Sequence, residues 1–477
     1  MDFFGESTYW LTRFIFLKGL GLIYLTAFWA AFNQFRALLG TNGILPVTEF
    51  IQQVPFKKAP SIFYLHYSNR FFLFIAGSGI ALSLLTLTGI VDFAPLWVFM
   101  SVWLILWVLY MSIVNIGQTW YSFGWESLLL EVGFMAIFLG NAFTEASIIM
   151  MFLMRWALFR VEFGAGLIKM RGDKCWKDLT CLFYHYETQP MPNPVSWFAH
   201  NAPKWFHKTG VLVNHFVQLV APIFLFAPQP VASIAGVLII GTQGWLILSG
   251  NYSWLNWLTI LLGVGAIDDS VFRLIIPEAL LPTGSISPGE TMFSTYLVAA
   301  YAILVVVRSI EPVKNLISRH QIMNTSFDPL HLVNTYGAFG SVTKKRYEVI
   351  IEGTLSDDPD SAKAEWKEYE FKGKPGDVKY MPRQFAPYHL RLDWLMWFAA
   401  MGPHYQQEWF EPFMIKLLEN DKTVLKLLRK NPFANEPPKY LRAKLYLYHF
   451  TDKKERRASK AWWKREYVKE YFPVVSL

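Results

Sequence analysis

Residues 154–181 read MRWALFRVEFGAGLIKMRGDKCWKDLTC, so an apolar helical stretch with charged side chains runs directly into a polar segment. Arg155, Glu162 and Lys169 are spaced seven residues apart. Seven residues are close to two helical turns, so these three side chains share one face of the helix. Each charge placed in lipid costs about 2.5–3.5 kcal/mol on insertion scales. The charged groups must therefore face protein or a wet cavity.

Two interpretations of these charges remain open. One is a polar cavity that holds a ligand or supports chemistry. The other is structural pairing between helices, for example of Arg155 or Arg160 with Glu131. No residue is assigned a catalytic role. The residues of the candidate polar face are Arg155, Arg160, Glu162, Lys169, Arg171, Asp173, His185 and Glu187.

The polar segment contains both cysteines of the chain, Cys175 and Cys181. They are interpreted as a disulfide if the loop faces an oxidising compartment. Two free buried thiols are an alternative. A zinc site with His185 and His200 is another, although the spacing matches no common zinc pattern. The prolines and aromatic residues that follow indicate an ordered loop outside the membrane.

Charge is distributed unevenly along the chain. Residues 1–310 hold 16 Lys/Arg and 15 Asp/Glu, whereas residues 311–477 hold 28 and 21, so +7 of the net charge of +8 lies in the second part. This split predicts a transmembrane domain over 1–310 and a soluble C-terminal domain over 311–477. Two long polar loops, 36–70 and 169–210, interrupt the transmembrane domain.

Nine segments approach the ~20 apolar residues that cross a bilayer as a helix. The first, with its apolar run from Trp10 to Phe32, is too long for a cleaved signal and should remain as a helix. A third loop is predicted over 268–291. The predicted fold is a polytopic α-helical bundle of about nine helices, followed by a soluble α+β domain with a β-sheet. The nine segments are 9–35, 71–91, 94–115, 127–143, 146–168, 211–227, 230–249, 252–267 and 292–310.

The C-terminal domain shows both strand and helix patterns. Alternation predicts strands at RYEVIIEGT (346–354), WKEYEFKGKPGD (366–377) and YLRAKLYLYHF (440–450). Helical spacing predicts helices at RLDWLMWFAAM (391–401) and EPFMIKLLENDKTVLKLLRKNPF (411–433), the second stopped by Asn-Pro.

Several function classes lack their motifs. The sequence contains no Gly-rich phosphate loop, no paired zinc-type cysteine motif and no Gly-x-Ser-x-Gly elbow. A basic pI alone does not indicate nucleic-acid binding. We therefore expect a lipid bilayer as partner, and no cofactor, metal or nucleic acid. Two Asn-x-Ser triplets begin at Asn251 and Asn324, a pattern that also arises by chance.

Long irregular motifs resemble the lipase maturation factor family. The signature stretch is LFRVEFGAGLIKMRGDKCWKDLTCLFYHYETQPMPNPVSWFAH (158–200). Further similar stretches are GTNGILPV (40–47), QTWYSFGWESLLLEVGF (118–134) and NPFANEPPKYLRAKLYLYHFT (431–451). The resemblance implies a polytopic membrane protein. In animals such proteins reside in the endoplasmic reticulum and help dimeric lipases to fold and assemble.

The resemblance implies a membrane-anchored folding or assembly factor whose lumenal C-terminal domain contacts a secreted, lipase-like client. That family supplies no established catalytic residues. Tryptophan is enriched at binding hot spots. The expected client contacts are Trp394, Trp397, Trp409, Trp462 and Trp463.

A weaker likeness to the transmembrane domain of vitamin K-dependent carboxylases implies a membrane enzyme with a polar site at the exoplasmic end of the bundle.

The orientation of the chain in the membrane is also contested. The positive-inside rule favours a cytoplasmic C-terminal domain, but long folded domains translocate largely regardless of charge. The resemblance and the disulfide interpretation place it in the lumen of the endoplasmic reticulum. The lack of a Lys-Asp-Glu-Leu-type retrieval signal is also compatible with a bacterial relative. In such a relative the protein would be anchored in the inner membrane, with its C-terminal domain in the periplasm.

Overall fold

The computed structural model describes residues 8–276 and 287–477, so the middle of the predicted loop 268–291 lies outside the described residues. Up to residue 317 the chain is mostly helical. Its helices are α1 (Trp10–Leu38), α2 (Val47–Gln53), α3 (Asn69–Thr88), α4 (Leu96–Asn115), α5 (Gly124–Ala136), α6 (Ile148–Arg171), α7 (Leu182–Thr188), α8 (Pro194–His200), α9 (Lys204–His215), α10 (Ala221–Phe224), α11 (Val231–Ser249), α12 (Leu255–Val264), α13 (Asp269–Arg273), α14 (Pro288–Arg308) and α15 (Ile310–Ile317). A π-helical turn, Phe216–Val220, joins α9 to α10.

Five helical segments of the described residues are long and apolar enough to cross a membrane: α1, α3, α4, α11 and the α14–α15 pair. The predicted membrane-spanning helical region is therefore confirmed, but the predicted count of about nine is not. The helix α6 has 24 residues but carries too many charged side chains to qualify. The helices α5 and α12 have 13 and 10 residues. At 1.5 Å per residue they rise only about 20 and 15 Å, against a hydrocarbon core of about 30 Å.

The connections between these helices gather at two ends of the bundle. At one end, which we call the distal end, the amide of Ala142 donates to the carbonyl oxygen of Asp92 at 2.8 Å. The side chain of Asn141 donates to the Glu290 carboxylate at 3.0 Å. These bonds join the α3–α4 connection, the α5–α6 connection and the start of α14. The opposite end, which we call the domain end, carries the C-terminal domain.

The C-terminal domain contains a four-stranded antiparallel sheet in the order β4-β3-β5-β6 and a two-stranded β1-β2 pair. Its helices pack beside the sheet. The strands are β1 (Thr325–Ser326), β2 (Asn334–Thr335), β3 (Arg346–Thr354), β4 (Lys367–Glu368), β5 (Tyr440–Phe450) and β6 (Trp463–Val475). The helices are α16 (Arg391–Ala399), α17 (Phe410–Leu418), α18 (Lys422–Leu425) and α19 (Lys453–Ser459).

Two of the three predicted strands, 346–354 and 440–450, are confirmed as β3 and β5, and the helix predicted at 391–401 is confirmed as α16. The strand predicted at 366–377 is wrong beyond Lys367–Glu368. The Lys-Gly-Lys-Pro-Gly run that follows cannot maintain a ladder because proline lacks an N–H and glycine weakens strands. The edge strand β6 was not predicted, because its many charged residues leave no clear alternation of apolar and polar side chains.

The single helix predicted over 411–433 is also wrong, because the chain breaks between α17 and α18. Asn420 adopts a left-handed φ of 53°. Asp421 then caps α18, and its carboxylate accepts from the amides of Thr423 at 2.8 Å and Val424 at 3.0 Å. Aspartate at such a position favours the start of a new helix over the continuation of the old one.

The core of the C-terminal domain continues into the bundle at the domain end. The Trp125 ring of α5 packs edge-on against the Trp394 ring of α16, with centroids 4.9 Å apart. The Gln34 side chain of α1 donates to the carbonyl oxygen of His389 at 2.7 Å. One hydrophobic cluster therefore spans both parts of the chain. The domain boundary drawn at residue 310 stays a prediction.

Candidate functional site

The charged side chains of α6 lie in separate surroundings along the helix. At the distal end, Arg155 donates to the Tyr9 hydroxyl at 2.9 Å and to the carbonyl oxygen of Gly265 at 3.3 Å. In the middle, Arg160 forms a buried ion pair with Glu131 on α5. Arg155 and Arg160 thus join α6 to different parts of the bundle.

A segment of the C-terminal domain completes the Arg160–Glu131 pair. Arg160 donates to the carbonyl oxygen of Asn334 at 2.6 Å. Glu131 accepts from the Asn334 amide at 3.0 Å and from the Tyr336 hydroxyl at 2.7 Å. Both charged side chains are at most 2% exposed. A buried ion pair is stable only when such extra hydrogen bonds satisfy its remaining polar atoms.

Glu162 and Lys169 are held by neutral amide side chains of neighbouring helices. The Gln243 side chain donates to Glu162 at 2.5 Å. Lys169 donates to the side-chain oxygens of Gln218 at 2.8 Å and Asn214 at 3.0 Å. This arrangement, together with the Arg160–Glu131 pair, favours the interpretation that these charges pair helices. A functional role for the candidate polar face stays a prediction.

Replacement of Lys169 by alanine is expected to act through stability. It would leave the side-chain oxygens of the buried Gln218 and the half-buried Asn214 without their donor, at a cost of about 1–3 kcal/mol. The expected result is a lower membrane level and a lower thermal midpoint in detergent, with unchanged activity per accumulated molecule. Lys208→Ala, at an exposed lysine on α9, is the matched control. Normal accumulation combined with lost activity would instead indicate a functional site at Lys169.

The polar loop after α6 is closed by its two cysteines. Cys175 and Cys181 are bonded to each other, with Cα atoms 4.8 Å apart. In this structure they are therefore neither metal ligands nor free thiols. The Trp176 indole donates to the carbonyl oxygen of Phe339 at 2.8 Å. The closed loop thus holds a segment of the C-terminal domain.

The residues around the disulfide also contact the C-terminal domain. The amide of Asp173 donates to the carbonyl oxygen of Gly340 at 2.8 Å. Arg171 donates to the Gln321 side chain at 2.8 Å. The polar residues of this loop therefore serve as contacts between the end of α6 and the chain that follows α15.

The remaining two members of the candidate polar face lie on α7. His185 shares a hydrogen bond of 2.9 Å with the Tyr252 hydroxyl. Glu187 accepts from the amide of Phe450 at 2.7 Å and lies 3.1 Å from the ring nitrogen Nδ1 of His449. The eight residues of the candidate polar face are thus distributed over separate contacts rather than gathered in one pocket.

Sequence reasoning missed the buried ion pair that joins the C-terminal domain to the bundle. Arg391, the first residue of α16, lies 2.8 Å from the Glu126 carboxylate on α5, and both side chains are fully buried. The Tyr110 hydroxyl donates to Glu126 at 2.5 Å. The Arg391 guanidinium also lies over the Tyr121 ring. In the sequence, Arg391 and Glu126 are recognisable only as charged residues that lie next to apolar runs.

A second missed arginine holds the polar loop against the sheet. Arg346, at the start of β3, donates to the carbonyl oxygens of Glu187 and Pro190, each at 3.0 Å. It also forms a fully buried ion pair with Glu348 at 2.6 Å. Lys374 lies 3.0 Å from the other oxygen of Glu348. The loop and the sheet are therefore one connected polar network.

The five tryptophans expected to contact a client lie mainly in the interior. Trp397 is half-buried, and its indole donates to the carbonyl oxygen of Thr188 at 3.0 Å. Client contact through these side chains stays a prediction, and four of them pack in the core of this structure. Those four are Trp394 (5% exposed), Trp409 (1%), Trp462 (8%) and Trp463 (1%).

An open groove of about 930 Å³ lies beside Trp397, between the start of β3, the end of α16 and β6. We call it the lysine-rimmed groove. Burial raises the pKa of Tyr471 in its floor. The Tyr471 hydroxyl therefore stays protonated and donates to the carbonyl oxygen of Ala399 at 2.8 Å. The lining of the groove includes Val342, Trp397, Ala400, Met401, Leu445 and Tyr471 in the floor and the basic Lys344, Lys345 and Lys469.

Charge at the groove is positive overall. Lys344, Lys345 and Lys469 are exposed on its rim, and Asp173 and Glu470 are the acids that line it. Met401 is 46% exposed within it. A concave apolar floor with a few charged groups at its edge is the usual form of a binding site. This one is complementary to a partner segment that combines apolar and acidic side chains.

Comparisons with known proteins agree over nearly the whole chain. The family described as the lipase maturation factor transmembrane domain matches residues 11–274, and the lipase maturation factor C-terminal domain matches residues 332–473. Lipase maturation factor 1 of Homo sapiens is 42% identical over 99% of this chain and 89% of its own length. Lipase maturation factor 2 of Xenopus tropicalis is 29% identical over 98% and 82%.

The mouse relative supports the same assignment. Lipase maturation factor 1 of Mus musculus is 43% identical over 99% of this chain and 88% of its own length. No solved structure matches the chain. The two domain matches and the near full-length identity together show that this chain belongs to the lipase maturation factor family.

Proposed function

We propose that this chain is a membrane-anchored maturation factor that helps a secreted lipase, or a related secreted enzyme, to reach its active form. The observation that carries the proposal is 42% identity over 99% of the chain to a protein named lipase maturation factor 1. The membrane helices anchor the chain, and the C-terminal domain meets the client. The carboxylase-like alternative receives no support from these comparisons.

The lysine-rimmed groove is the proposed client contact. A folding enzyme exposes apolar segments that are later buried in its core or between its subunits. The apolar floor of the groove can cover such a segment, while the rim lysines attract acidic residues beside it. This proposal moves the expected contact from the buried tryptophans to the neighbouring surface.

We further infer that the bundle crosses the membrane nine times and that the C-terminal domain lies on the lumenal side. Support comes from the two ends of the bundle. Besides the five candidate spans, four further segments run between the distal end and the domain end: α5, α6, α12, and α9 with α10 and the π-helical turn between them. Leu225, just after α10, lies at the distal end, where its carbonyl oxygen accepts from Arg155 at 3.4 Å. Tyr9, beside the start of α1, lies at the same end, where its hydroxyl accepts from Arg155. Nine crossings, an odd number, therefore separate Tyr9 from the C-terminal domain.

The proposed function is tested in cells that lack their own maturation factor and secrete a dimeric lipase. Expression of this chain should raise lipase activity per mass of secreted lipase. A secreted protein unrelated to lipases is the control, and its activity should not change. If the chain accumulates in the membrane and the specific activity of the lipase stays at its starting value, the lipase proposal is wrong.

In an oxidising lumen the Cys175–Cys181 bond should form in every molecule. Mass spectrometry after alkylation without reduction should recover both cysteines in one linked peptide. The chain-entropy relation gives so short a loop about 2 kcal/mol of stabilisation, so Cys175→Ser should lower the thermal midpoint in detergent. Recovery of both cysteines as labelled thiols from native membranes would contradict this.

A further inference from the structure

The two Asn-x-Ser triplets occupy different environments in the structure. Asn324 follows the last candidate membrane span, is exposed, and has a left-handed φ of 51°. Its side-chain oxygen accepts from the amide of Gly337 at 3.3 Å. Gly124 packs against the same side chain, where any larger residue would collide with it. These contacts turn the oxygen inward.

The side-chain nitrogen of Asn324 is left for solvent. Among residues 8–276 and 287–477 it donates no hydrogen bond to protein, and it is not among the buried polar atoms that lack a partner. The hydroxyl of Ser326, the third residue of the triplet, is half-exposed and donates to the carbonyl oxygen of Asp328 at 2.7 Å. The triplet is thus held at the surface with its amide nitrogen outward.

Asn251 shows the opposite arrangement. It is 1% exposed. Its nitrogen donates to the carbonyl oxygens of Met191 at 3.2 Å and Arg383 at 2.9 Å. Its oxygen accepts from the amide of Phe385 at 2.6 Å. A sugar on that nitrogen would replace one of its two hydrogens, so at least one of these bonds would be lost, and the sugar would have no space in the contact between the bundle and the C-terminal domain.

We propose that Asn324 carries an N-linked glycan and that Asn251 does not. The co-reactant is a lipid-linked oligosaccharide diphosphate. The side-chain nitrogen of Asn324 forms a bond to the anomeric carbon, the bond from that carbon to the diphosphate oxygen breaks, and the amide loses one proton as the lipid diphosphate leaves. This inference rests on the proposed lumenal position of the C-terminal domain.

The glycan lies at the domain end, beside the stretch that reaches Glu131. Asn324 belongs to the same segment as Asn334, since β1 pairs with β2 through Thr325↔Thr335. The lysine-rimmed groove lies elsewhere in the C-terminal domain and includes no residue of β1 or β2. Asn324 is therefore not part of the proposed client contact.

The test uses the full chain expressed in animal cells, with membranes treated or not treated with a peptide-N-glycosidase. The untreated wild-type protein should migrate more slowly on a denaturing gel by the mass of one glycan. Asn324→Gln and Ser326→Ala should each abolish the shift. Ser326→Ala leaves Asn324 and its contacts in place, so it keeps the test valid if Asn324→Gln fails to fold. Ser253→Ala removes the Asn251 triplet without touching Asn251 and should leave the shift unchanged.

A gain-of-site variant separates this inference from the proposed topology. Arg457→Asn completes an Asn-Ala-Ser triplet on the exposed helix α19. If that variant gains a glycan while the wild-type chain has none, the Asn324 proposal is overturned and the lumenal placement stands. If neither protein carries a glycan, both are overturned. A wild-type shift that disappears only with Ser253→Ala would also overturn the Asn324 proposal.

Discussion

Replacement of Arg391 by methionine is expected to lower the free energy of unfolding by about 3–5 kcal/mol. The side chains of Arg391 and Glu126 are fully buried, and the guanidinium also donates to the carbonyl oxygen of Trp120 at 2.6 Å. Without Arg391, the buried Glu126 carboxyl group loses its cationic partner and must either carry an unpaired charge or take up a proton, and either change costs free energy. A loss of this size equals a large share of the total stability of most domains. The variant should hardly accumulate in membranes.

The measurement is the membrane level of each variant together with its thermal midpoint in detergent. Arg391→Met combined with Glu126→Gln should recover much of the loss, because the uncompensated charge is then gone. Lys439→Met is the matched control, since Lys439 pairs with the exposed Asp357 at the surface. That variant should behave as wild type. Equal behaviour of Arg391→Met and Lys439→Met would contradict the anchoring role of the buried pair.

Removal of the C-terminal domain would disturb two buried carboxylates of the bundle. Glu126 would lose Arg391, and Glu131 would lose its contacts with Asn334 and Tyr336. The bundle is therefore not expected to remain stable when residues 311–477 are deleted. Point variants on the surface of the domain separate client contact from stability, whereas the deletion does not.

Patterns that depend on neighbouring residues were predictable from the sequence. Long apolar runs indicated the membrane helices, and period-two alternation indicated β3, which is almost wholly buried, and β5, which is buried mainly at alternate residues. Each of these features depends on the local chain and not on which distant segment packs against it.

Contacts between distant residues were not predictable from one sequence. Arg391 and Glu126 are separated by 265 positions. The periodicity of a sequence does not indicate which buried arginine pairs with which buried glutamate. The sequence also does not indicate which tryptophans are buried, because a tryptophan of the core and a tryptophan of an interface occur in similar sequence patterns. Only the fold shows that Trp409 is buried, at 1% exposure, and that Met401 in the groove is exposed.

Charge reversal on the groove should reduce client maturation by at least about tenfold, which corresponds to ~1.4 kcal/mol of binding free energy. Lys344→Glu combined with Lys345→Glu converts two attractive contacts with an acidic client segment into repulsive ones, and such like-charge contacts cost several kcal/mol. Both lysines are exposed, so the fold should tolerate the change. The membrane level of the variant should therefore equal that of the wild type.

The groove is tested most directly by lipase activity per mass of secreted lipase, measured at equal membrane levels of the groove variant and a control variant. The matched control is Lys453→Glu combined with Lys454→Glu, which makes the same charge change at exposed residues of α19, away from the groove. We expect the groove variant to lose most of its maturation activity and the α19 variant to retain it. Full maturation activity in the groove variant, or an equal loss in both, would contradict the groove as the client contact.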